Sequence, residues 1–311
     1  MKTETRSFYE AAVVRALARV VGSLDAALNL RALAREAALS PFHFHRIFRG
    51  MVGETPLELH RRLRLERAAA HLLTTDASIT RLAFDAGYET HEAFTRAFRQ
   101  AYGTSPTDLR QHAHERPAEL RSPQTFLAAR CGVHFGDGVD AFVVPPSTPE
   151  VTMNVSIEDM PSIRVAAVRH VGAYNRIVEA FRRLGAITAA AGLMREDAMM
   201  LAIYHDDPEA TPVEQLLSDA CISVGEGVAL PEGVFEQRLT AGLYARATHL
   251  GPYRRLGDTW SRLMGEWLPR SGRRVGSGWS YEVYRNNPQD TPQDDLRTDL
   301  YLPLTETADQ P

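Results

Sequence analysis

The chain has 311 residues, more than one hydrophobic core commonly organises, so two domains are expected. Hydrophobic residues at 44% and charged residues at 24% are those of an ordinary globular protein, and no apolar run is long enough for a membrane helix, which argues against a membrane partner. The net charge of −4 divides unevenly: residues 1–115 carry 16 Lys and Arg against 13 Asp and Glu, whereas residues 116–311 carry 19 against 26, so a mildly basic head suited to nucleic acid precedes an acidic body.

The first residues, MKTETRSFYE, lack the apolar core of a secretion signal, so a cytoplasmic protein is expected. Cys131 and Cys221 have no paired spacing, which argues against a disulfide framework or a cysteine-based zinc site and leaves two structural thiols.

Residues 8–110 read as helices with short breaks. Phe8, Tyr9, Ala12, Val13, Ala16, Leu17, Val20 and Val21 recur at helical spacing. A short helix is expected after Asn29, with Leu30, Leu33, Ala34 and Ala37 on one face. Ser40-Pro41 restarts the helix, serine as cap and proline in the first turn. Thr55-Pro56-Leu57-Glu58 is a capping box that opens a helix of about 17 residues, about 25 Å long. Ser78 and Thr90 cap two more, with Gly87 and Gly103 as stop signals and Ser105-Pro106 following.

Two of these helices carry a second, polar stripe opposite the apolar one. Over 40–53 the apolar stripe is Phe44, Ile47, Phe48 and Met51, and the other is Phe42, His45, Arg46 and Arg49. Over 90–103 the stripes are Phe94, Ala97, Phe98 and Ala101 against Glu92, Thr95, Arg96 and Arg99, with His91 beside them. Each follows a short helix across a tight turn, Ala38-Leu39 or Gly87-Tyr88, which is the layout of a helix-turn-helix. Arginine reaches guanine edges bidentately, and Thr, His and Glu supply other edge contacts, so these helices are the expected readers of double-stranded DNA. Arg61, Arg62, Arg64 and Arg67 on the connecting helix are candidates for phosphate contacts.

Residues 8–112 resemble the AraC/XylS-type regulator domain. The resemblance rests on Leu33-Ala34-x-x-Ala37-x-Leu39-Ser40 and Phe48-Arg49 in the first unit. In the second it rests on Ile79-x-x-Leu82-Ala83-x-x-x-Gly87-Tyr88, Phe94-x-Arg96-x-Phe98 and Tyr102-Gly103-x-Ser105-Pro106. It implies an all-α double helix-turn-helix domain and bacterial transcription control at promoter DNA, with RNA polymerase as a further partner. The base-reading helices of the family then fall on Phe42, His45, Arg46 and Arg49 and on His91, Glu92, Thr95 and Arg96.

Prolines and glycines punctuate residues 113–150, which read as a linker with a short ordered piece around 125–144. Beyond it an internal repeat is visible. VSIEDMPSIRVAAVRHVGAY (155–174) matches VFEQRLTAGLYARATHLGPY (234–253) at an offset of 79, each with His-x-Gly-x-Tyr. Tyr204-His-Asp-Asp-Pro208-x-x-Thr211-Pro212 matches Tyr284-Arg-Asn-Asn-Pro288-x-x-Thr291-Pro292 at an offset of 80, and Asp219 and Asp299 continue the register. Helical patterns cover 177–191 and 256–268. The expectation is an α+β domain of two duplicated strand-helix-strand-strand halves about a pseudo-twofold axis.

Residues 151–305 resemble the GyrI-like effector-binding domain of multidrug-sensing regulators, on the doubled His-x-Gly-x-Tyr, on Tyr281-Glu282-Val283-Tyr284 and on Asp299-Leu300-Tyr301-Leu302-Pro303. The order of the two domains resembles the right-origin-binding-protein branch of the AraC-type regulators. Glu282 aligns with Ala202 of the other half, so the duplication puts a carboxylate in one copy only. A carboxylate in an aromatic strand suits a lipophilic cationic or aromatic effector, ion-paired at the centre with cation–π contacts at the wall. Tyr204, Trp260, Trp279, Tyr284 and Tyr301 are the candidate wall, and the resemblance points to the same glutamate. Neither a cofactor, a metal site nor a catalytic residue is expected: His43-x-His45 and His112-x-His114 lack further clustered ligands, and His170 and His249 read as structural. The alternative is a GyrI-like hydrolase that uses Glu282 as general base. A third reading is inhibition of a protein partner, since the founding GyrI proteins are linked to gyrase.

Overall fold

The computed structural model describes residues 2–115, 133–136, 153–206, 208 and 210–305. They fall into two compact units. One comprises Ala11–Leu39 and Met51–Pro146, the other Met1–Glu10, Ser40–Gly50 and Ser147–Pro311. This division crosses the boundaries drawn from sequence, because the first ten residues and Ser40–Gly50 cluster with the C-terminal body. Cys131 and most of the expected ordered piece at 125–144 lie outside the described residues.

Among the described residues of the head are α1 (Lys2–Val21), α2 (Leu30–Glu36), α3 (Pro41–Val52), α4 (Pro56–Thr74), α5 (Ile79–Asp85), α6 (His91–Tyr102) and α7 (Pro106–Glu115). The starts follow the caps. The Asn29 side chain accepts from the Ala32 amide at 2.9 Å, and the Ser40 hydroxyl from the His43 amide at 3.2 Å. Thr55 and Glu58 close both arms of the capping box, at 2.9 and 3.2 Å, and Ser78 and Thr90 cap α5 and α6. Each such cap contributes about 1 kcal/mol. Gly103 ends α6 at φ 71°, and α7, which the sequence left unassigned as a separate helix, starts from the Ser105 hydroxyl accepting from the Asp108 amide at 3.1 Å.

The first unit has its core where α4, α5, α6 and α7 meet. Leu65, Ala69 and Leu72 pack with Leu82, Ala83, Phe94, Phe98, Tyr102 and Leu109, all buried. The amphipathic period of α6 therefore resolves as expected, Phe94 and Phe98 inward and Glu92, Arg96 and Arg99 exposed. Glu66 is 1% exposed and holds residues 133–136 to α4: it accepts from Arg62 at 2.6 Å, from the Phe135 amide at 2.8 Å and lies 3.1 Å from the His134 imidazole.

The second unit is built on one antiparallel sheet. Its elements are β1 (Val155–Met160), β2 (Ile163–Val171), α8 (Val178–Ala190), β3 (Met200–Tyr204), β4 (Leu217–Ser223), β5 (Phe235–Leu239), β6 (Gly242–Leu250), α9 (Leu256–Arg262), β7 (Tyr281–Tyr284) and β8 (Arg297–Pro303). A π-helical turn, Leu263–Trp267, carries α9 on into α10 (Leu268–Ser271).

The strand order is β1-β6-β8-β7-β3-β4-β2-β5, which is symmetric about the β7–β3 pair. The duplication is thus present, with one correction: each half has strand-strand-helix-strand-strand, because Pro161-Ser162 and Thr240-Ala241 break what read as single strands. The extra strands are exchanged. β1 of the first half pairs with β6 of the second, and β5 of the second pairs with β2 of the first. Each half also buries an aspartate at the equivalent place. Asp219 lies between Arg169 and His205, and Asp299 accepts from Arg285 and Thr248, both at 2.6 Å.

Strand alternation gives the sheet two faces. Val165, Ala167, Leu201, Ile203, Tyr244, Tyr281, Val283 and Tyr301 cluster on one. Ala166, Val168, Ala202, Ala220 and Ile222 lie on the other, covered by Ala180 and Leu184 of α8.

Candidate functional site

The β3–β7 pairing sets Ala202 directly opposite Glu282, with Met200 opposite Tyr284 and Ile203 opposite Tyr281. Residues 202 and 282 are repeat-equivalent, so the pseudo-twofold axis passes between them, and Glu282 stands at the centre of the helix-covered face. It is 3% exposed.

Around that carboxylate the repeat supplies aromatic rings in equivalent pairs: Tyr204 and Tyr284 on the central strands, Tyr174 and Tyr253 from the two His-x-Gly-x-Tyr segments, Phe181 and Trp260 from the two helices. Trp260 Nε1 donates to Glu282 Oε1 at 2.7 Å, and the Tyr284 hydroxyl donates to Oε2 at 3.1 Å. The Tyr204 hydroxyl is 3.2 Å from that of Tyr284. Tyr174 packs edge-on against Tyr204 with centroids 4.8 Å apart, and Tyr253 and Phe181 meet Tyr284 at 5.3 and 5.5 Å. Such rings present negative faces and positive edges, so together they form a wall suited to a delocalised cation.

Burial raises the Glu282 pKa, against the hydrogen bonds from Trp260 and Tyr284 and the positive charge of Arg46, which favour the carboxylate. Desolvation prevails over these opposing effects. The same burial, together with the neighbouring carboxylate, holds Tyr204 and Tyr284 as neutral hydroxyls well above their ordinary range.

Of the residues picked from sequence, Glu282, Tyr284, Tyr204 and Trp260 meet here. Two do not. Tyr301 stacks on Tyr281, centroids 4.7 Å apart and planes 9° apart, on the opposite face of the sheet. Trp279 is 40% exposed and packs on His205 ahead of β7. Tyr174, Tyr253 and Phe181 were missed as wall residues, although the tyrosines were the last residues of the doubled motif. The histidines of that motif are structural: His170 Nε2 is 3.0 Å from the Ala173 carbonyl, and His249 bridges Thr259 and the Pro252 carbonyl. Among the described residues no three His, Cys, Asp or Glu side chains cluster as metal ligands.

The two candidate reading helices differ. On α6, Glu92 and Arg96 are exposed and His91 and Thr95 half-buried. On α3, Phe42 is 5% and His45 7% exposed, which corrects the expectation that both face DNA. Phe42 meets Trp260 edge-on at 6.1 Å, and Arg46 lies over the Phe42 ring at 3.7 Å and within 5.8 Å of the Trp260 ring. Arg49 contacts Asp258 at 3.3 Å. Of the stripe expected to read DNA, Phe42, Arg46 and Arg49 are therefore packed against α9. Burial also drives the His43 and His45 pKa values down to about 3, with Arg46 adding to the effect.

Three of the four connecting-helix arginines are a second correction, while Arg61 is exposed. Arg62 is bound to Glu54, Glu66 and the Val133 carbonyl, Arg64 donates to the Leu24 and Ala26 carbonyls, and Arg67 to Asp25 and the Asp85 carbonyl. They brace the helical unit instead of offering free charge to phosphate.

Residues 153–305 match the family described as a GyrI-like small molecule binding domain, and residues 33–112 match a helix-turn-helix domain. The probable transcriptional regulator YgiV of Escherichia coli (strain K12) is 30% identical over 158 residues, 50% of this chain and 98% of that protein. A DNA gyrase inhibitor of Erwinia billingiae is 30% identical over 161 residues, 49% of this chain and 98% of that one. The regulatory protein SoxS of Salmonella typhimurium is 34% identical over 87 residues, 28% of this chain and 81% of that protein. No described helix is long and apolar enough to cross a membrane. With its capped helix-turn-helix head and its duplicated sheet closed over a central glutamate, the chain belongs to the AraC-type DNA-binding transcription regulators that carry a C-terminal GyrI-like domain.

Proposed function

We propose that the effector is a lipophilic organic cation held between the aromatic pairs with Glu282 as its counter-charge, and that its binding changes how the regulator engages promoter DNA and RNA polymerase in the cytoplasm. The observation that carries this reading is a buried carboxylate whose hydrogen-bond partners are neutral donors, Trp260 and Tyr284, in an aromatic wall. A buried carboxylate is costly, and a cation stripped of water by aromatic faces repays that cost.

On the DNA side, Glu92 and Arg96 with His91 and Thr95 are the base-contacting residues of α6, and Arg46 and Arg49 those of α3. Binding of the effector is reversible in this account, and Glu282 does no hydrolytic work. A ligand shifts DNA engagement only through different affinities for two states of the protein.

The test is equilibrium dialysis of the full chain with tetraphenylphosphonium, with binding to the promoter fragment of its own gene measured at several salt concentrations. Saturable binding and a cation-dependent change in DNA affinity are expected. Absence of saturable binding would remove the cation reading, and an unchanged DNA affinity would remove the regulatory link.

A further inference from the structure

Arg46 belongs by sequence to a DNA-reading stripe, yet in the structure it stands at the rim of the Glu282 cage. Its guanidinium caps the Phe42 ring at 3.7 Å and approaches the Trp260 ring to 5.8 Å. Phe42 packs on Trp260, and Trp260 donates to Glu282. The guanidinium thus stands against rings that lead to the carboxylate, and its positive charge favours the ionised form of Glu282.

The rest of α3 is seated with it. The His43 imidazole is 3.1 Å from the Ser280 hydroxyl, two residues before Glu282, and Arg49 reaches Asp258. Gly50 permits the approach: a Cβ there would stand 2.1 Å from the Ser261 carbonyl oxygen and 2.6 Å from Gly265 Cα. A helix so seated cannot place the same side chains on base edges in a major groove.

We infer that Arg46 is the resident cation of the Glu282 site, in competition with the effector, so that effector entry displaces Arg46 and frees α3 for DNA. The inference rests on the reading of Glu282 as a cation site and adds a residue that sets its affinity. The competition also gives the coupling a sign: the cation stabilises the state in which α3 is released, and a free α3 in turn binds the cation more tightly.

The experiment measures tetraphenylphosphonium affinity by calorimetry for the full-length protein and for Arg46→Met, which keeps the apolar stem and removes the charge. Hydrogen exchange of the Pro41–Val52 amides in the wild-type protein is measured with and without the cation. Loss of a partly desolvated cation–π competitor is expected to tighten binding by about five- to thirtyfold, and the cation is expected to speed exchange in α3. Binding by Arg46→Met with none by the wild-type protein is the strongest form of the expected result. Equal or weaker binding by Arg46→Met, with α3 exchange unchanged by bound cation, overturns the competition and leaves Glu282 as a cation site. Absence of binding in both proteins overturns both readings. The exchange measurement needs no variant, so misfolding of Arg46→Met would not rescue the idea.

Discussion

Ala202 and Glu282 face each other across the β3–β7 ladder on the pseudo-twofold axis of the sheet, and they are the same position of the repeat. The rings of Tyr174, Phe181 and Tyr204 have equivalents in Tyr253, Trp260 and Tyr284, but the charge does not. The duplicated fold thereby builds a symmetric aromatic wall and places one carboxylate at its centre, which fits a monocation.

Ala202→Glu tests that asymmetry. Two carboxylates on facing positions, both buried, cannot both ionise without large cost. The variant is expected to lose about 3–5 kcal/mol of stability at pH 7.5 and to recover part of it at pH 5, where one carboxyl takes a proton. Urea unfolding at the two pH values measures this. Unchanged stability would mean that the centre of the sheet is wetter than its burial implies.

The raised pKa of Glu282 has its own pH signature. The folded state binds this proton more tightly than the unfolded state, whose value is near 4.5. Its contribution to stability is therefore complete below that value and is lost as pH rises through the folded pKa. Glu282→Gln, which cannot ionise, should gain stability relative to wild type as pH is raised from 4.5 to 7.5. Thermal melts across that range are the check, and a constant difference would contradict the assignment.

The histidines of α3 act in the opposite sense. His43 and His45 have folded pKa values near 3 against an ordinary 6.5. The unfolded state takes up protons as pH falls through 6.5 while the folded state resists, so stability present at neutral pH is lost towards pH 3. The groups around them include the Ser40 and Ser280 hydroxyls, which contact His43, and the guanidinium groups of Arg46 and Arg49. Protection of the Pro41–Val52 amides, relative to their intrinsic exchange rate at each pH, should fall between pH 7 and pH 5 and should fall less in His43→Asn.

Glu66 is the linchpin of residues 133–136. Glu66→Ala removes a carboxylate that accepts from Arg62 and from the Phe135 amide. A loss of about 3 kcal/mol is expected by thermal or urea unfolding, with faster proteolysis near residue 133. Intact stability and intact resistance would contradict the anchoring role.

Arg96 and Arg64 separate reading from bracing. Arg96→Ala should weaken specific DNA binding by about 1–3 kcal/mol with little effect on stability. Arg64→Ala should lower stability, because it removes donors to the Leu24 and Ala26 carbonyls, and leave the salt slope of DNA binding unchanged. Binding isotherms at several salt concentrations, with melting curves for both variants, distinguish the two roles.

Much of this was legible in the sequence because it is local. Caps at Asn29, Ser40, Thr55, Ser78 and Thr90 act within three residues, and the doubled His-x-Gly-x-Tyr announces the duplication without any knowledge of packing. What escaped depends on long-range pairing. The exchange of β1 and β5 has no local signal. Strand parity places Tyr284 with Glu282, but assigning Tyr301 to a face needs the β7–β8 register, in which Tyr301 pairs with Tyr281. Tyr174, Phe181 and Tyr253 enter the wall only because the repeat's helix and its preceding turn fold back over the centre of the sheet. Arginines 62, 64 and 67 looked free because the carbonyls they hold lie up to 71 residues away. The polar stripe of α3 looked available to DNA because its partner, α9, is over 200 residues distant in the chain.

The most direct test is a calorimetric titration of the wild-type protein and Glu282→Gln with tetraphenylphosphonium and with neutral triphenylphosphine oxide. Saturable binding of the cation by the wild-type protein, weakened at least about tenfold in Glu282→Gln while the neutral compound is little affected, is what a buried counter-charge predicts. Equal binding of the cation by both proteins, or preference for the neutral compound, would show that Glu282 is not the charge that selects the effector.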